Sequence, residues 1–536
     1  MSATPEQTGL DRLVFNNRFS RELPADDELQ NKRRQVHGAC FSYVAPTPVS
    51  SPKLIAWSRE MAETLGLDET TLRSSRFADV FTGNALLEGM EPYAMCYGGH
   101  QFGHWAGQLG DGRAINLGEV ETPSDGILAL QLKGAGPTPY SRTADGLAVL
   151  RSSVREFLCS EAMFHLGVPT TRALSLTLTG ESVIRDMFYD GNPQYEPGAV
   201  VCRVAPSFLR LGNYEIFAAR KDIDTLRQLV DFTLRHFYPE LGDPGKQAYI
   251  AFFQEVCRRT AAMIVHWQRV GFVHGVMNTD NLSILGLTID YGPYGWLEDY
   301  NPGWTPNTTD AEGRRYAYGN QPAIGQWNLV QFANSLYPLI GEAEPLQEAL
   351  SDYAERFNKG WNDMMASKLG LSEYRPQNHE SLIDELLTLL EAAETDMTLF
   401  FRGLSAVNPT AEQETFDKRF EPLLNSLYSP DSIDEAYKKQ AMSWLDRYYM
   451  ALDNDSLSPD HRKKLMDETN PLYVLRNYLA QLAIDRAGEG DYSLIAEQLE
   501  VLRNPYTKQA GMEKFAGKRP DWARNRAGCS MLSCSS

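Results

Sequence analysis

Alternating and continuous apolar runs in the first half of the chain predict a β-rich region. Two strand-like runs, at residues 113–120 and 127–133, are each bounded by turn residues. Such runs between turn residues are typical of neighbouring strands. Further strands are predicted at residues 173–178, 182–188 and 199–205.

Apolar residues at helical spacing also occur in the first half and dominate the second half of the chain. They predict one helix at residues 54–65, ahead of the β-rich region, and one at residues 148–166, within it. Longer helices are predicted at residues 224–237 and 248–270, and a series of amphipathic helices from about residue 326. A β-rich lobe followed by a helical lobe predicts a two-lobed α+β fold.

The same pattern divides the 536-residue chain into four predicted regions. Residues 1–90 form an N-terminal extension, and residues 91–215 form the β-rich N-lobe with a glycine-rich loop. Residues 216–340 form the helical C-lobe, and residues 341–536 form a C-terminal helical region with a cysteine-containing tail. A chain of this length is too long for one compact core, which agrees with several packed units.

Charge and composition argue against two classes of binding partner, nucleic acids and membranes. The formal net charge of −19 argues against a nucleic-acid-binding surface, because such surfaces depend on clustered Lys and Arg. The sequence contains neither a secretory signal pattern nor an apolar run of the roughly 18 residues that a membrane span needs. The 7 cysteines are sparse and odd in number, which favours a reducing compartment. We expect a cytoplasmic protein that binds neither nucleic acid nor membrane.

The candidate chemistry is concentrated in an irregular polar segment, GFVHGVMNTDNLSILGLTIDYG, at residues 271–292. Asn281 and Asp290 lie on either side of a short predicted strand pair and offer the hard oxygen ligands that a Mg²⁺-bound triphosphate requires. Asp280 adds a carboxylate beside Asn281. The seven-residue offset from His274 to Asn281, followed by DYG at Asp290, resembles the catalytic loop and DFG segment of protein kinases.

One position departs from the kinase pattern. Val276 stands where a kinase has its catalytic aspartate, two residues after the histidine, and a valine cannot deprotonate a hydroxyl. Three hypotheses follow from this. The protein could transfer a nucleotidyl group, it could be a kinase whose base has moved to Asp280, or it could be an inactive nucleotide-binding scaffold. The retained metal ligands weigh against simple inactivity.

The β-rich lobe contains the other parts of a nucleotide site, in the order in which kinases have them. The glycines of a G-x-x-G-x-G loop, among them Gly110 and Gly112, can bring backbone N–H groups close to phosphates. Lys133 ends an apolar strand, and Glu156 lies in the next helix, where it is expected to pair with Lys133.

Arg203 and Arg210 are candidate phosphate clamps, since guanidinium groups bind phosphate oxygens bidentately. Each feature taken alone also fits a structural turn or an ordinary ion pair, and it is their order that favours a nucleotide site. Competing motifs are absent: there is no G-x-x-x-x-G-K-[ST], H-E-x-x-H or C-x-x-C. His100 and His104 lack a third zinc ligand nearby, so a structural role is expected for them.

Several long strings resemble the selenoprotein O family, also called the SelO or YdiU family. They include YGGHQFGHWAGQLGDGRA, QLKGAGPTPYSR, DGLAVLRSSVREFL and HGVMNTDNLSILGLTIDYGP, and the resemblance runs from about residue 93 to residue 321. The NPLYVLRNYLAQ segment from Asn470 and the SCSS end extend it. The resemblance implies a protein-kinase-like fold without the usual catalytic aspartate.

The resemblance also implies an activity, namely transfer of AMP from ATP to Ser, Thr or Tyr hydroxyls of proteins, with UMP transfer possible. It further implies that ATP binds in a flipped orientation, with its α-phosphorus facing the acceptor hydroxyl. Carried over by position, the nucleotide contacts are Gly110, Gly112, Arg113, Lys133, Asp145, Gly146, Arg203, Arg210 and Asp290. Asn281 and Asp290 are implied to hold Mg²⁺ or Mn²⁺, and Asp280 to accept the proton.

The last cysteine matches a position that is characteristic of the family. Its members carry a selenocysteine or cysteine third from the end, which is Cys534 here. The residue is either an ordinary exposed thiol or a group placed for thiol–disulfide exchange with a partner.

Overall fold

The computed structural model describes residues 9–407 and 415–533 of the chain. The strands in this part of the chain are β1 (Val14–Phe15), β2 (Phe41–Tyr43), β3 (Lys53–Trp57), β4 (Tyr93–Met95), β5 (Gly98–Gln101), β6 (His104–Gln108), β7 (Ala114–Thr122), β8 (Gly126–Lys133), β9 (Arg172–Arg185), β10 (Gln194–Ala205), β11 (Phe272–Val273) and β12 (Gly295–Trp296).

The α-helices are α1 (Arg18–Glu22), α2 (Arg59–Thr64), α3 (Glu69–Leu72), α4 (Ser75–Val80), α5 (Leu150–His165), α6 (Leu211–Arg220), α7 (Ile223–Phe237), α8 (Lys246–Val270), α9 (Gln321–Ile340), α10 (Glu344–Lys368), α11 (Pro376–Ala392), α12 (Met397–Gly403), α13 (Phe416–Arg419), α14 (Glu421–Leu424), α15 (Glu435–Asp453), α16 (Pro459–Thr469), α17 (Asn477–Gly488) and α18 (Ser493–Leu502). The predicted mixture of a β-rich first half and a helical second half is confirmed.

An antiparallel sheet organises the first half, in the strand order β2-β4-β7-β8-β10-β9-β3, with β1 added beside β7. The first seven residues of β7 are all buried, since this strand lies between β4 and β8 and is covered on both faces. Lys133 is paired with Ala114 on β7 and with Val201 on β10. The last residue of β8 therefore lies in the middle of the sheet.

Helix α5 covers the sheet, packing on β9 and β10. We call the sheet together with α5 the sheet lobe. Helices α6 to α10 pack on one another and form what we call the helical lobe. One hydrophobic core is continuous through both lobes, and a second core lies among α11, α12 and α15.

The C-terminal helices do not form a separate end of the molecule. Helix α10 packs along α8 of the helical lobe, whereas α17 and α18 return to pack on α5 of the sheet lobe. The chain beyond residue 340 therefore supports both lobes and holds α5 from the side opposite the sheet.

Two sequence-based assignments are corrected. The helix predicted at residues 54–65 begins only at Arg59, because the preceding residues form β3, which pairs with β9. Ser58 caps that helix by accepting a hydrogen bond from the Met61 amide. The strands predicted at residues 173–178 and 182–188 are one continuous strand, β9. In the first case pairing across the sheet overrode local helical spacing. In the second, pairing with β10 continues along both predicted strands.

Candidate active site

The sheet lobe and the helical lobe meet at a cavity of about 410 Å³. Most of the predicted site residues line this cavity: Gly110, Gly112, Arg113, Lys133, Arg203, Asp280, Asn281 and Asp290. The irregular polar segment passes along one wall, and the end of β8 with the glycine-rich segment at residues 97–112 forms the other.

Lys133 and Glu156 form the ion pair that their order along the chain predicted. Both side chains are nearly buried, and the second carboxylate oxygen of Glu156 accepts from Arg203 Nη1 at 3.1 Å. Desolvation lowers the pKa of Lys133, and the charge of Glu156 acts against this. Helix α5 thus fixes a lysine ammonium at the cavity wall.

Asp290 lies between two arginines. Its oxygens are bound by Arg203 Nη1, at 2.5 Å, and by Arg210 Nη1. Burial acts to raise the pKa of Asp290, but the charges of Arg210 and Arg203 outweigh it and hold this pKa well below its usual range. Asp290 also has a left-handed backbone, with φ of 59°, which is uncommon outside glycine and marks a conformation held by its surroundings.

Asp280 has a different environment from Asp290. Only 7% of the residue is exposed, and its Oδ2 accepts a hydrogen bond from Gln101 Nε2 at 3.2 Å. Its Oδ1 is buried without a hydrogen-bond partner among the described residues. Burial raises the pKa of Asp280 to about 7. The two carboxyl groups therefore have opposite pKa shifts, downward for Asp290 because of the arginines and upward for Asp280 because of burial.

Asn281 is oriented by the backbone of Val276. Its Nδ2 donates to the carbonyl oxygen of Val276 at 2.9 Å, which leaves the amide oxygen Oδ1 as a potential metal ligand. An amide oxygen and an ionised carboxylate from Asp290 are the donors that Mg²⁺ or Mn²⁺ prefers. The residues present therefore fit a divalent cation.

His274 serves the fold of this segment rather than its chemistry. The ring is buried and stacks on Trp267, and its Nε2 contacts the carbonyl oxygen of Ile289 at 2.8 Å. Desolvation lowers the pKa of His274. The histidine therefore connects the loop before Asp280 to the strand-like residues before Asp290. The short strand pair predicted between them is reduced to one bridge, Leu282 to Thr288.

The glycine-rich segment contains a hairpin that periodicity did not predict. Strands β5 and β6 pair with each other, and the hairpin rests on the polar segment of the helical lobe. His100 N donates to Thr279 Oγ1 at 2.7 Å, and Phe102 N donates to Tyr316 Oη at 2.9 Å. Gly110 follows the hairpin, and a side-chain Cβ there would lie 2.5 Å from the ring of Tyr140. Glycine is required at this position by close packing.

Two arginines face the cavity without ion pairs in the part of the chain that the structure describes. Arg113 was expected as a nucleotide contact, whereas Arg142 was not singled out from the sequence. With Lys133, these guanidinium groups form a cationic wall in a cavity that also contains the carboxyl groups of Asp111, Asp280 and Asp290. Such a wall fits a polyphosphate.

Asp145 and Gly146 stand next to the cavity rather than on its wall. The Asp145 carboxylate is exposed and forms a bidentate pair with Arg185, at 2.7 and 2.8 Å. A Cβ on Gly146 would lie 2.2 Å from the carbonyl oxygen of Gly136. The neighbouring Ala144 does line the cavity. Arg210 also lies behind the wall, where its Nη1 donates to the backbone oxygen of Asp280 at 2.9 Å.

Sequence reasoning missed several polar residues of the site. Asp111 is buried beneath the cavity and accepts hydrogen bonds from Met95 N, Asn116 and Gln131. Gln101 and Asn278 also line the cavity. The only sequence signal for Asp111 and Gln101 was their position inside the glycine-rich string. Their partners come from other strands and from the helical lobe, which local patterns do not reveal.

The two histidines of the hairpin, His100 and His104, have different environments. His100 Nδ1 lies 2.5 Å from Glu215, and its ring packs against Trp105 and Trp327. This agrees with the structural role expected for His100. His104 is exposed.

The remaining expectations concern cysteines and membranes. The six cysteines that the structure describes are all free and buried, and Cys534 lies outside the described residues. In the described part of the chain, no helix combines the length and apolar character needed to cross a bilayer.

Comparison with known proteins agrees with the geometry. The profile of the family described as "Protein adenylyltransferase SelO" matches residues 28–503. The chain is 61% identical to "Protein nucleotidyltransferase YdiU" of Rhodopirellula baltica over 98% of its own length and 99% of the relative. It is 59% identical to the protein of the same name from Aromatoleum aromaticum, again over 98% and 99%. The Methylobacillus flagellatus protein of that name is 57% identical over 98% of this chain and 100% of the relative. The chain therefore belongs to the SelO family of protein adenylyltransferases.

Proposed function

We propose that this protein transfers AMP from ATP to the hydroxyl of a Ser, Thr or Tyr side chain in protein substrates and releases pyrophosphate. UMP is a possible alternative group. The observation that carries the proposal is that Asp280, which has one carboxylate oxygen without a hydrogen-bond partner among the described residues, lines the same cavity as Lys133 and Arg113. Such a cavity offers both a proton acceptor and charge stabilisation.

We also propose that the fold is protein-kinase-like with two lobes. The order of glycine-rich segment, strand lysine, helix glutamate, Asn281 and Asp290 supports this, as does the Lys133–Glu156 ion pair. The four regions inferred from the sequence remain a prediction about domain boundaries.

The cationic wall would bind the triphosphate. Lys133 and Arg113 face the cavity directly, and Arg203 holds Asp290 from within it. Binding of phosphates would compete for the Arg203 and Arg210 guanidinium groups that now contact Asp290. The guanidinium groups would then stabilise the charge that develops on the equatorial oxygens of the phosphorus under attack.

Asn281 and Asp290 would hold Mg²⁺ or Mn²⁺ through one amide and one carboxylate oxygen. A cation there supplies additional positive charge for the phosphates and orients them. Asp290 is suited to this role because its depressed pKa keeps it ionised.

Asp280 would act as the proton acceptor. The acceptor hydroxyl would form a bond to the α-phosphorus as the bond to pyrophosphate breaks, and the hydroxyl proton would pass to Asp280. In this arrangement ATP binds with its α-phosphorus, rather than its γ-phosphorus, toward the hydroxyl. A base at position 276 is then not needed, which accounts for Val276.

The cellular context follows from the sequence and stays a prediction. We place the enzyme in the cytoplasm, acting on proteins and on neither nucleic acid nor membrane. A thiol–disulfide partner for Cys534 is predicted by position alone.

Incubation with ATP labelled at either the α- or the γ-phosphate, in Mg²⁺ or Mn²⁺, tests the proposal. Label should enter protein from α-labelled ATP only, and Asp290→Ala should abolish it. Label from γ-labelled ATP would instead support a kinase with Asp280 as its base. No label from either, with ATP still bound, would indicate an inactive scaffold.

A further inference from the structure

A second cavity, of about 500 Å³, lies among α8, α10, α11 and the segment at residues 300–319. Five aromatic side chains line it: Tyr300, Tyr318, Phe357, Trp361 and Tyr374. We call it the aromatic cavity. Its residues are not those of the active-site cavity, so it is a separate site on the same molecule.

Two carboxylates stand at the edge of the aromatic cavity. Glu380 and Asp384 are four residues apart on α11 and therefore share one face of that helix. Both are exposed, and neither forms an ion pair in the part of the chain that the structure describes. Burial raises the pKa of Tyr374 most, and the negative charges of Glu380 and Asp384 raise it further. Both carboxylates therefore lie near this tyrosine of the cavity lining.

The lining of the aromatic cavity contains no lysine or arginine among the described residues. The carboxylates of the aromatic cavity thus differ from surface carboxylates that are paired with a lysine or an arginine. For example, Glu385, also on α11, pairs with Arg447. Uncompensated carboxylates beside aromatic faces attract cations through both charge and the ring quadrupole. The cavity therefore has the chemistry of a cation-binding site.

One short stretch of chain connects the lining of the aromatic cavity to the lining of the active-site cavity. Tyr318 lines it and donates from Oη to the carbonyl oxygen of Gln268 at 2.7 Å. Tyr316, two residues earlier, donates from Oη to Asn278 Oδ1 at 2.5 Å, and Asn278 lines the active-site cavity. The buried stretch from Tyr316 to Tyr318 therefore contacts residues of both cavities.

We propose that the aromatic cavity binds an arginine-containing segment of the protein substrate, with a guanidinium group between the aromatic faces and the carboxylates of Glu380 and Asp384. The proposal rests on the proposed function in taking a protein as substrate. Arginine fits better than lysine, because its planar group stacks on rings and pairs bidentately with carboxylates. The volume exceeds that of one side chain and accommodates the neighbouring residues of a peptide.

Fluorescence anisotropy of a labelled peptide tests the binding directly, with the full chain and without nucleotide. The probe contains several arginines and one serine, and a matched probe carries neutral citrulline at each arginine. In about 150 mM salt, exposed charges are screened beyond roughly 8 Å, so general attraction to the acidic protein is reduced. The arginine probe is expected to bind at least about tenfold more tightly than the citrulline probe.

A variant pair separates the site from the overall charge of the protein. The double variant Glu380→Gln/Asp384→Asn is expected to weaken binding of the arginine probe about tenfold. The control Glu348→Gln/Glu355→Gln removes the same charge from exposed positions of α10 outside the cavity lining, and it should bind like the unaltered protein. Equal weakening in both variants, or equal binding of both probes, would overturn the proposal.

Activity distinguishes this proposal from the proposed function. With the arginine probe as acceptor of α-labelled ATP, the Glu380→Gln/Asp384→Asn variant should have a raised KM and an unchanged kcat. Asp280→Asn should bind the probe normally but fail to modify it. Probe binding without transfer by the unaltered protein would contradict the proposed function alone, and transfer with an unchanged KM in the double variant would contradict the docking site alone.

Discussion

Gln101 donates a hydrogen bond to Asp280 across 3.2 Å, although the two residues are 179 positions apart in the chain. The bond connects the glycine-rich hairpin of the sheet lobe to the proposed base of the helical lobe. The other carboxylate oxygen of Asp280 remains buried and without a partner among the described residues. The pKa of Asp280 therefore depends on the position of the hairpin relative to the helical lobe.

The rate of AMP transfer should increase with pH and level off near or below pH 7. The carboxylate form of Asp280 is the base, burial raises its pKa to about 7, and a bound divalent cation would favour the ionised form. Initial rates with α-labelled ATP between about pH 5 and pH 9 measure this. Asp280→Asn should lose at least about 100-fold in rate, and a pH-independent rate in the unaltered enzyme would contradict the assignment.

Replacing Gln101 should move this pH profile to higher pH. The Gln101 hydrogen bond favours the ionised form of Asp280, so Gln101→Leu is expected to raise the pKa and to reduce the rate most at low pH. Gln108→Leu is a matched control on the other strand of the hairpin, because Gln108 Oε1 accepts from Val36 N and its side chain does not reach Asp280. An inflection that shifts equally in both variants would indicate general disturbance of the hairpin.

Asp280 should also lower the stability of the nucleotide-free protein at high pH. Its folded pKa of about 7 lies above the unfolded value, so the folded state binds the proton more tightly. The free energy of unfolding then decreases as the pH rises from the unfolded pKa toward the folded value of about 7. Asp280→Asn should accordingly increase Tm relative to the unaltered protein at pH 8, with a smaller increase at pH 5. Thermal unfolding in the presence of a chelator measures the Tm at both pH values. A lower Tm for Asp280→Asn than for the unaltered protein at pH 8 would show that ionised Asp280 is stabilised by contacts.

Lys133→Ala should weaken ATP binding without unfolding the sheet lobe. Glu156 keeps Arg203 as a partner at 3.1 Å, so its carboxylate is not left unpaired. A tenfold loss of affinity would reduce the stabilisation by ATP by about 1.4 kcal/mol at high ligand concentration. The shift of Tm with ATP and Mg²⁺ measures this, with Lys246→Ala as the control, since Lys246 is an exposed lysine that pairs with Glu342. An undiminished shift in Lys133→Ala would remove Lys133 from the site.

Residue order along the chain predicted much of the site. The Lys133–Glu156 pair forms, and the polar segment and most of the predicted site residues lie at the cavity, because strand ends and helix starts occur at positions that local patterns indicate. Helices α5, α7 and α8 begin and end within two residues of their predicted bounds. The β3 strand was missed, since its pairing with β9 depends on residues more than 100 positions away.

The sequence alone determined which chemical groups are present, their order, and the alternation of strand and helix, because these depend on neighbouring residues. Apart from the Lys133–Glu156 pair, only the tertiary structure decided how those groups interact. It surrounds Asp290 with Arg203 and Arg210 and desolvates Asp280, so that two carboxyls of the same segment have opposite pKa shifts. Burial and charge depend on every element packed around a group, and no local pattern contains that information.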